Sequence, residues 1–179
     1  MSVTRVAYAV EGWGEGELWL DGTRLVWHEL PHPRAHPHPG GGDTRLPLRA
    51  TIPAKRARAG NDAVPEVRRL LDRLRAYFAG ERVGFDDVEL DLDGWTPFQL
   101  DVAQALRRVP YGEAVSYSEL ARAAGHPLAQ RAAGTFCARN RYPLVLPCHR
   151  VVSADGIGSY GSLGVDYKRR LLELERVSL

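Results

Sequence analysis

The nine residues Leu144-Val145-Leu146-Pro147-Cys148-His149-Arg150-Val151-Val152 constrain this chain most tightly. A short apolar run bounded in this way reads as a buried strand. Pro147 ends it, because proline cannot donate to a sheet ladder. Cys148 is therefore expected where a rigid element stops, held still and facing a pocket, which suits a nucleophile. His149 can hold or take a proton, and Arg150 adds positive charge nearby. Both favour the thiolate, the nucleophilic form of cysteine. Taken alone, the dipeptide reads more readily as a buried structural cysteine beside a surface histidine.

The 179 residues suit one or two small domains with a real core. No apolar run approaches a membrane span, and Met1-Ser2-Val3-Thr4-Arg5 lacks the apolar core of a signal peptide. Cys137 and Cys148 are expected to stay reduced in the cytosol. The net charge of +2 hides an asymmetry. Residues 1–106 carry 13 basic and 16 acidic side chains, whereas residues 107–179 carry 11 basic and 6 acidic. The C-terminal part is the better candidate for a polyanion partner, although ordinary surface charge reads the same way.

Residues 3–30 read as three strands: Val3 to Val10, Glu17 to Leu20 and Thr23 to Leu30. A turn at Gly12 to Gly16 and a hairpin at Asp21-Gly22 separate them. Residues 31–63 are rich in Pro, Gly, Arg and Ala and read as a long loop. His28-Glu29-Leu30-Pro31-His32 matches the HExxH zinc-protease pattern, but that chemistry needs both histidines on one helix face. Pro31 breaks any such helix. His32, His36 and His38 read as solvated loop histidines. Val64 to Ala79 spaces its apolar residues as a helix, with Asp62 as candidate N-cap and Gly80 as its stop. Residues 81–94 read as an acidic connector.

Phe98 to Val109 and Leu128 to Arg139 read as further helices. Between them lies a short helix, Tyr117 to Ala124, capped by Ser116 with Glu119 completing a capping box. Helix, Gly125-containing turn, helix is the outline of a helix-turn-helix, though many helical hairpins share it. A last helix is expected from Val165 to Arg176, with Leu171, Leu172 and Leu174 largely inward and Lys168, Arg169 and Arg170 largely outward. The expected fold is an α/β N-terminal domain (1–93), a three-stranded antiparallel sheet plus a helix. A mainly α C-terminal domain (94–179) with a helix-turn-helix follows.

Pro-Cys-His-Arg-Val after apolar residues resembles the active-site signature of the O6-alkylguanine-DNA alkyltransferases. The resemblance begins near Gly94-Trp95-Thr96-Pro97-Phe98-Gln99. It runs through Val109-Pro110-Tyr111-Gly112-Glu113, Ser116-Tyr117, Arg131-Ala132-Ala133-Gly134 and Asn140. It ends at Lys168 and Leu171-Leu172-Glu173-Leu174-Glu175. It thus covers about half the chain, in the family's order and spacing.

This resemblance implies a protein that binds double-stranded DNA containing O6-alkylguanine, and extends to O4-alkylthymine. The target nucleotide is rotated out of the stack, and its alkyl group passes to Cys148 once, irreversibly. His149 matches the base acting through a water, and Glu175 the carboxylate that orients it. Asn140 matches the residue bracing the active-site turn, and Tyr117 the phenol that serves the leaving guanine. Leu146, Val151, Tyr160, Ser162 and Cys137 are the implied pocket residues, Cys137 as packing. Arg131 matches the arginine finger that fills the gap in the duplex. Ala129, Gln130, Gly134 and Ser116 complete the implied DNA-binding set, with the second helix in the minor groove. Gln130 departs from the small residue expected there. Tyr160-Gly161-Ser162-Leu163-Gly164 departs from the usual Tyr closely followed by two glycines. Some family members hold an N-terminal zinc partly through cysteine; neither cysteine lies there, so no metal is expected. No cofactor is implied. A cytoplasmic monomer, on the nucleoid when DNA-bound, is expected.

Two other readings stand beside it. An alkyltransferase-like protein binds damage without transfer and carries a non-nucleophile at the cysteine position. A Cys-His hydrolase on an unrelated fold leaves Arg131 and Tyr117 without a role.

Overall fold

The computed structural model describes residues 3–33 and 64–178. The candidate N-cap Asp62, His36, His38 and most of the expected loop 31–63 lie outside the described residues. Strands β1 (Val3–Val10), β2 (Gly14–Asp21) and β3 (Arg24–His32) form an antiparallel sheet in the order β1-β2-β3. Gly22, at φ +64°, makes the tight β2–β3 turn foreseen at Asp21-Gly22, where Asp21 pairs with Arg24. Strand β2 starts three residues before the expected Glu17. Gly14 and Gly16 belong to the ladder, not to a turn. A Cβ on Gly16 would stand 2.6 Å from Glu29 O and 2.7 Å from the Tyr8 ring, so glycine lets the strands close over Tyr8.

The free edge of β3 is covered twice. Leu25 exchanges backbone hydrogen bonds with the 89–91 segment, at 2.8 Å in both directions. His28 N donates to Arg141 O at 2.9 Å. Both contacts hide a strand edge that would otherwise invite pairing. Residues 28–32 lie in a strand, so the HExxH pattern has no helix to act from. His28 is instead a core residue. Its Nε2 pairs with Tyr8 Oη at 2.7 Å and its Nδ1 with Pro143 O at 2.8 Å.

Helix α1 (Pro65–Phe78) buries Val67, Leu70, Leu71, Leu74, Tyr77 and Phe78, the face that its three- and four-residue spacing creates. Val64 precedes it without a side-chain cap. Gly80, at φ +90°, ends it in a Schellman motif: Gly80 N donates to Tyr77 O and Glu81 N to Ala76 O. Helix α2 (Pro97–Arg107) opens with a Thr96/Gln99 capping box. Strand β4 (Val115–Ser116) leads into α3 (Tyr117–Ala123), whose Ser116/Glu119 capping box is the expected one. Helix α4 (Gln130–Ala138) starts two residues later than expected, because Leu128 and Ala129 belong to the turn. Helix α5 (Gly164–Leu174) also ends early: Glu175 is its cap and Arg176, at φ +60°, reverses the chain.

The apolar run 144–146 is a correction. It is buried, but it is no strand. Leu146 N donates to Tyr142 O at 2.8 Å and Cys148 N to Leu146 O at 2.7 Å, so the backbone closes on itself in successive turns. Leu144 sits at φ +71°, fully inside the core. Cys148–Arg150 then form one 3₁₀ turn, and β5 (Val151–Val152) pairs in parallel with β4. Buried apolar residues form one cluster running from Tyr8 to Leu171. Among the described residues, no helix is long and apolar enough to cross a membrane.

Burial lowers the His28 imidazole from 6.5 to about 4, against the opposing pull of the Pro143 carbonyl. The folded state thus binds fewer protons than the unfolded chain as pH falls from 6.5 towards 4, and stability falls with it. This group alone should cost about 2 kcal/mol between pH 7 and 5. His149, also buried and lowered, adds to the same slope. Urea unfolding of wild type and His28→Gln at both pH values checks this. The variant should be less stable at pH 7 but lose less on acidification; equal losses would exclude His28 as a source.

Candidate active site

The Cys148 side chain closes the floor of a narrow cleft of about 30 Å³, lined by Tyr117, Gly134, Cys137, Ala138, Ser159, Tyr160 and Gly161. Three elements bring these residues together. The capped start of α3 sets Tyr117, and Gly134 of α4 packs against its ring, where an added Cβ would lie 3.7 Å away. The loop before α5 supplies the far wall. Gly158 and Gly161, at φ +74° and +47°, turn Ser159 and Tyr160 towards Cys148. Ser162 is exposed beyond that turn and does not line the cleft; Ser159 does. Leu146 and Val151 are fully buried behind it. Their carbonyls are occupied, Leu146 O by Asn140 Nδ2 at 2.7 Å and Val151 O by Lys168 Nζ at 2.6 Å.

Asn140 holds the turn from inside. Its Oδ1 accepts from Tyr142 N at 3.0 Å, and its Nδ2 reaches both Leu146 O and Cys148 Sγ, the latter at 3.1 Å. Burial pushes the Cys148 thiol up. Asn140, Tyr160 and Lys168 oppose that without reversing it. The Tyr160 hydroxyl is buried without a full hydrogen bond among the described residues. It lies near enough to the sulfur to act as a donor once a thiolate forms. Burial and the neighbouring sulfurs raise the Tyr117 phenol.

Behind the cysteine lies a closed relay. His149 and Glu175 have fully buried side chains, and Nε2 of His149 pairs with Glu175 Oε1 at 2.7 Å. Nδ1 of His149 is buried and has no partner among the described residues. The proton therefore belongs on Nε2, donated to the carboxylate, and Nδ1 carries the free lone pair. Burial lowers the His149 imidazole despite Glu175, so at neutral pH the ring is an uncharged base. Burial would raise the Glu175 carboxyl, but His149 and Arg150 together hold it well below the usual carboxylate range.

Arg150 corrects an expectation. Its fork grips Glu175 through Nε and Nη2 at 2.8 and 3.0 Å, and Nη1 donates to Val109 O at 2.7 Å. Its charge serves the carboxylate and not the thiol. Lys168 corrects another: it is fully buried, not outward, and it is the cation that acts on Cys148. The resting pair is thus a thiol beside a neutral imidazole. A larger cleft of about 360 Å³, lined by Arg82, Phe85, Arg107, Tyr111 and Arg150 among others, opens elsewhere. It does not include Cys148, the candidate nucleophile, which lines the smaller one.

The expected DNA-binding residues lie at the capped start of α3 and in α4 or at its N-cap. Gln130, Arg131 and Ala132 are exposed in the first turn of α4, and the Arg131 guanidinium has no partner among the described residues. Ala129 precedes the helix. Ser116 is occupied as the cap of α3, accepting from Glu119 N at 3.1 Å. Leu128 stands in the intervening turn, 92% exposed.

The family model for the 6-O-methylguanine DNA methyltransferase DNA-binding domain matches residues 97–177. The crystal structure of Mycobacterium tuberculosis OGT in complex with DNA superposes with a TM-score of 0.74 at 35% identity, covering 97% of this chain and 93% of that one. A methylated-DNA–protein-cysteine methyltransferase of Methanothermobacter thermautotrophicus is 43% identical over 122 residues, 66% of this chain and 68% of that protein. The chain belongs to the methylated-DNA–protein-cysteine methyltransferase family. Its Mycobacterium tuberculosis (H37Rv) relative is 50% identical over 107 residues, 59% of this chain. That match spans 63% of the relative's length, so under two thirds of it.

Three residues at this site have no role assigned by the sequence, although Gly112 and Lys168 fall among the landmarks of the resemblance. Lys168 falls three and four residues before Leu171 and Leu172, so helical spacing already puts it on their inward face. Tyr77 shares the apolar face of α1 with Leu70 and Leu74, and a buried tyrosine there implies a partner for its hydroxyl. Gly112, whose N–H donates to Glu175 Oε2 at 3.1 Å, left no signal beyond marking a turn.

If Lys168 is the cation that moderates the thiol, Lys168→Met should raise it further. Less thiolate at pH 8 should slow carboxamidomethylation of Cys148 by about threefold or more. Peptide mapping after timed iodoacetamide treatment reads this directly; an unchanged rate would remove Lys168 from the electrostatics of the site.

Proposed function

We propose that this protein repairs DNA by transferring the alkyl group of O6-alkylguanine to its own Cys148, once per molecule, after the nucleotide has been flipped out. O4-alkylthymine falls within the same chemistry. The observation that carries this reading is a buried thiol followed directly in the chain by a buried histidine whose Nδ1 is unoccupied among the described residues and whose Nε2 is tied to a carboxylate. A thiol raised by burial is a poor nucleophile at rest. His149 Nδ1 takes its proton through a water as Cys148 Sγ attacks the alkyl carbon. Glu175 stabilises the imidazolium that results, the nucleophile, base and orienter logic of a triad. A sulfur–carbon bond forms and the carbon–O6 bond breaks. Tyr117, on the cleft wall, hydrogen-bonds the departing guanine. The product is a thioether, and among the described residues no group lining the cleft can cleave it.

The cleft holds about one water's volume. A base enters only if the Ser159–Gly161 wall yields. Duplex DNA docks on α4, with Arg131 filling the vacated stack. The basic bias of residues 107–179 supplies the phosphate attraction, which should weaken with salt. The N-terminal segment, residues 1–93, supports the site, and the protein acts as a cytoplasmic monomer.

Incubation with DNA containing O6-methylguanine should add one methyl to Cys148, at no more than one equivalent per protein, as intact-mass and peptide mass spectrometry will show. Multiple turnovers, or label on Cys137 with Cys148 untouched, would sink the reading.

The finger assignment has its own check. Holding a base out of the stack costs a few kcal/mol. Arg131→Ala should therefore transfer slowly from duplex DNA, by roughly 10- to 100-fold, yet almost normally from free O6-benzylguanine. Equal loss on both substrates in single-turnover assays would make Arg131 structural.

A further inference from the structure

We propose that Tyr77 is a positioning residue for the transfer: reaching in from α1, it holds Glu175 and so sets how tightly His149 binds a proton. The inference rests on the reading of Cys148 as alkyl acceptor. Tyr77 lies outside residues 97–177, the region matched by the family's DNA-binding domain. Its side chain is nevertheless buried against the relay. The ring makes edge contacts with Phe78, Phe85, Tyr111 and His149. Its hydroxyl donates to Glu175 Oε1 at 2.7 Å, and its oxygen stands 3.2 Å from His149 Nε2.

Three donors therefore converge on Oε1: Tyr77 Oη, His149 Nε2 and Arg150 Nη2. Each draws negative charge from the carboxylate. Tyr77 is the neutral donor among them. Its burial and the adjacent carboxylate keep the phenol protonated, so it always donates. The groups facing His149 are few. Glu175 favours the imidazolium; Arg150 and Lys168 oppose it; Cys148 is the next residue; Tyr111 lies beyond, under the Arg150 guanidinium. Removing the Tyr77 hydroxyl leaves Oε1 with more charge to offer His149. The imidazolium becomes more stable, and the neutral base is lost at a higher pH.

Tyr77→Phe keeps the ring and removes the hydroxyl alone. The full-length protein is assayed by single-turnover transfer from free O6-benzylguanine across roughly pH 5 to 9. The acid limb of the rate profile should move up by about one unit, the size expected when one hydrogen bond to a charged group is lost. In a Glu175→Gln background, Tyr77→Phe should no longer move the limb. A limb that stays in place, or that moves equally in both backgrounds, overturns the inference, because a merely structural tyrosine would lower stability without touching the proton affinity of His149. Replacing Tyr77 by 3-fluorotyrosine, a stronger donor of the same shape, should move the limb the other way, and keeps the test decisive if the phenylalanine variant does not fold. Wild type that fails to transfer benzyl to Cys148 overturns the proposed reaction and this inference together. Transfer with an unmoved limb overturns this inference alone.

Discussion

A single buried negative charge, on Glu175, sets the terms for the rest of the structure. Its two oxygens accept five hydrogen bonds, from Tyr77, His149, Gly112 and twice from Arg150. An unpaired carboxylate in this position would cost several kcal/mol in lost hydration. The donors come from α1, from the turn after Pro110 and from the 3₁₀ turn that carries Cys148. None can move away without leaving charge uncompensated. Folding and assembly of the relay are therefore one event. The early end of α5 belongs to the same logic, because Glu175 sits where the helix stops and its backbone turns away.

At Cys148, two effects oppose each other, and burial wins. Asn140, Tyr160 and Lys168 all favour a thiolate, but losing water outweighs them, so the resting sulfur is a thiol. That outcome suits the single transfer proposed for this sulfur. A standing thiolate is the form most open to oxidation. In the proposed reaction, a thiol with an uncharged base next in the chain stays inert until an electrophilic carbon arrives and the proton can leave. The same burial that protects the sulfur keeps His149 neutral, and hence able to accept that proton.

Much of this was legible in the sequence, and the limits have physical causes. Strand β1, the Asp21-Gly22 turn and the Ser116/Glu119 box were readable because each depends on neighbours in the chain. Cys148, His149, Asn140 and Glu175 were readable only through the family resemblance; the structure shows two hydrogen-bonded pairs, Asn140 with Cys148 and His149 with Glu175. The run 144–146 misled because an apolar stretch reports burial, and burial does not require a ladder. Lys168 misled because a charged residue on an inward helix face is expected to be outside. Its partners, Val151 O of the short strand β5 and Ser159 O of the loop before α5, come from segments that no periodicity announces. The partner of Tyr77 and the β4–β5 pair were invisible for the same reason: both join parts of the chain distant in sequence.

The active-site turn explains why those distant joins matter. Leu144 is a non-glycine residue in the left-handed region, inside the core, and such a backbone costs about 1–3 kcal/mol unless its surroundings over-determine it. They do so from the N-terminal side. His28 ties β3 to Arg141 and Pro143, Tyr142 donates to Asp91 O, and Asn140 closes the turn from within. A strand in this place would have been held by its own ladder. A turn has no such ladder and needs clamps from elsewhere in the molecule. The N-terminal sheet supplies them on one side of Cys148, and α1 reaches the relay on the other. Strand β3, the 89–91 segment and α1 thus shape the candidate site through contacts that the helical half cannot make for itself.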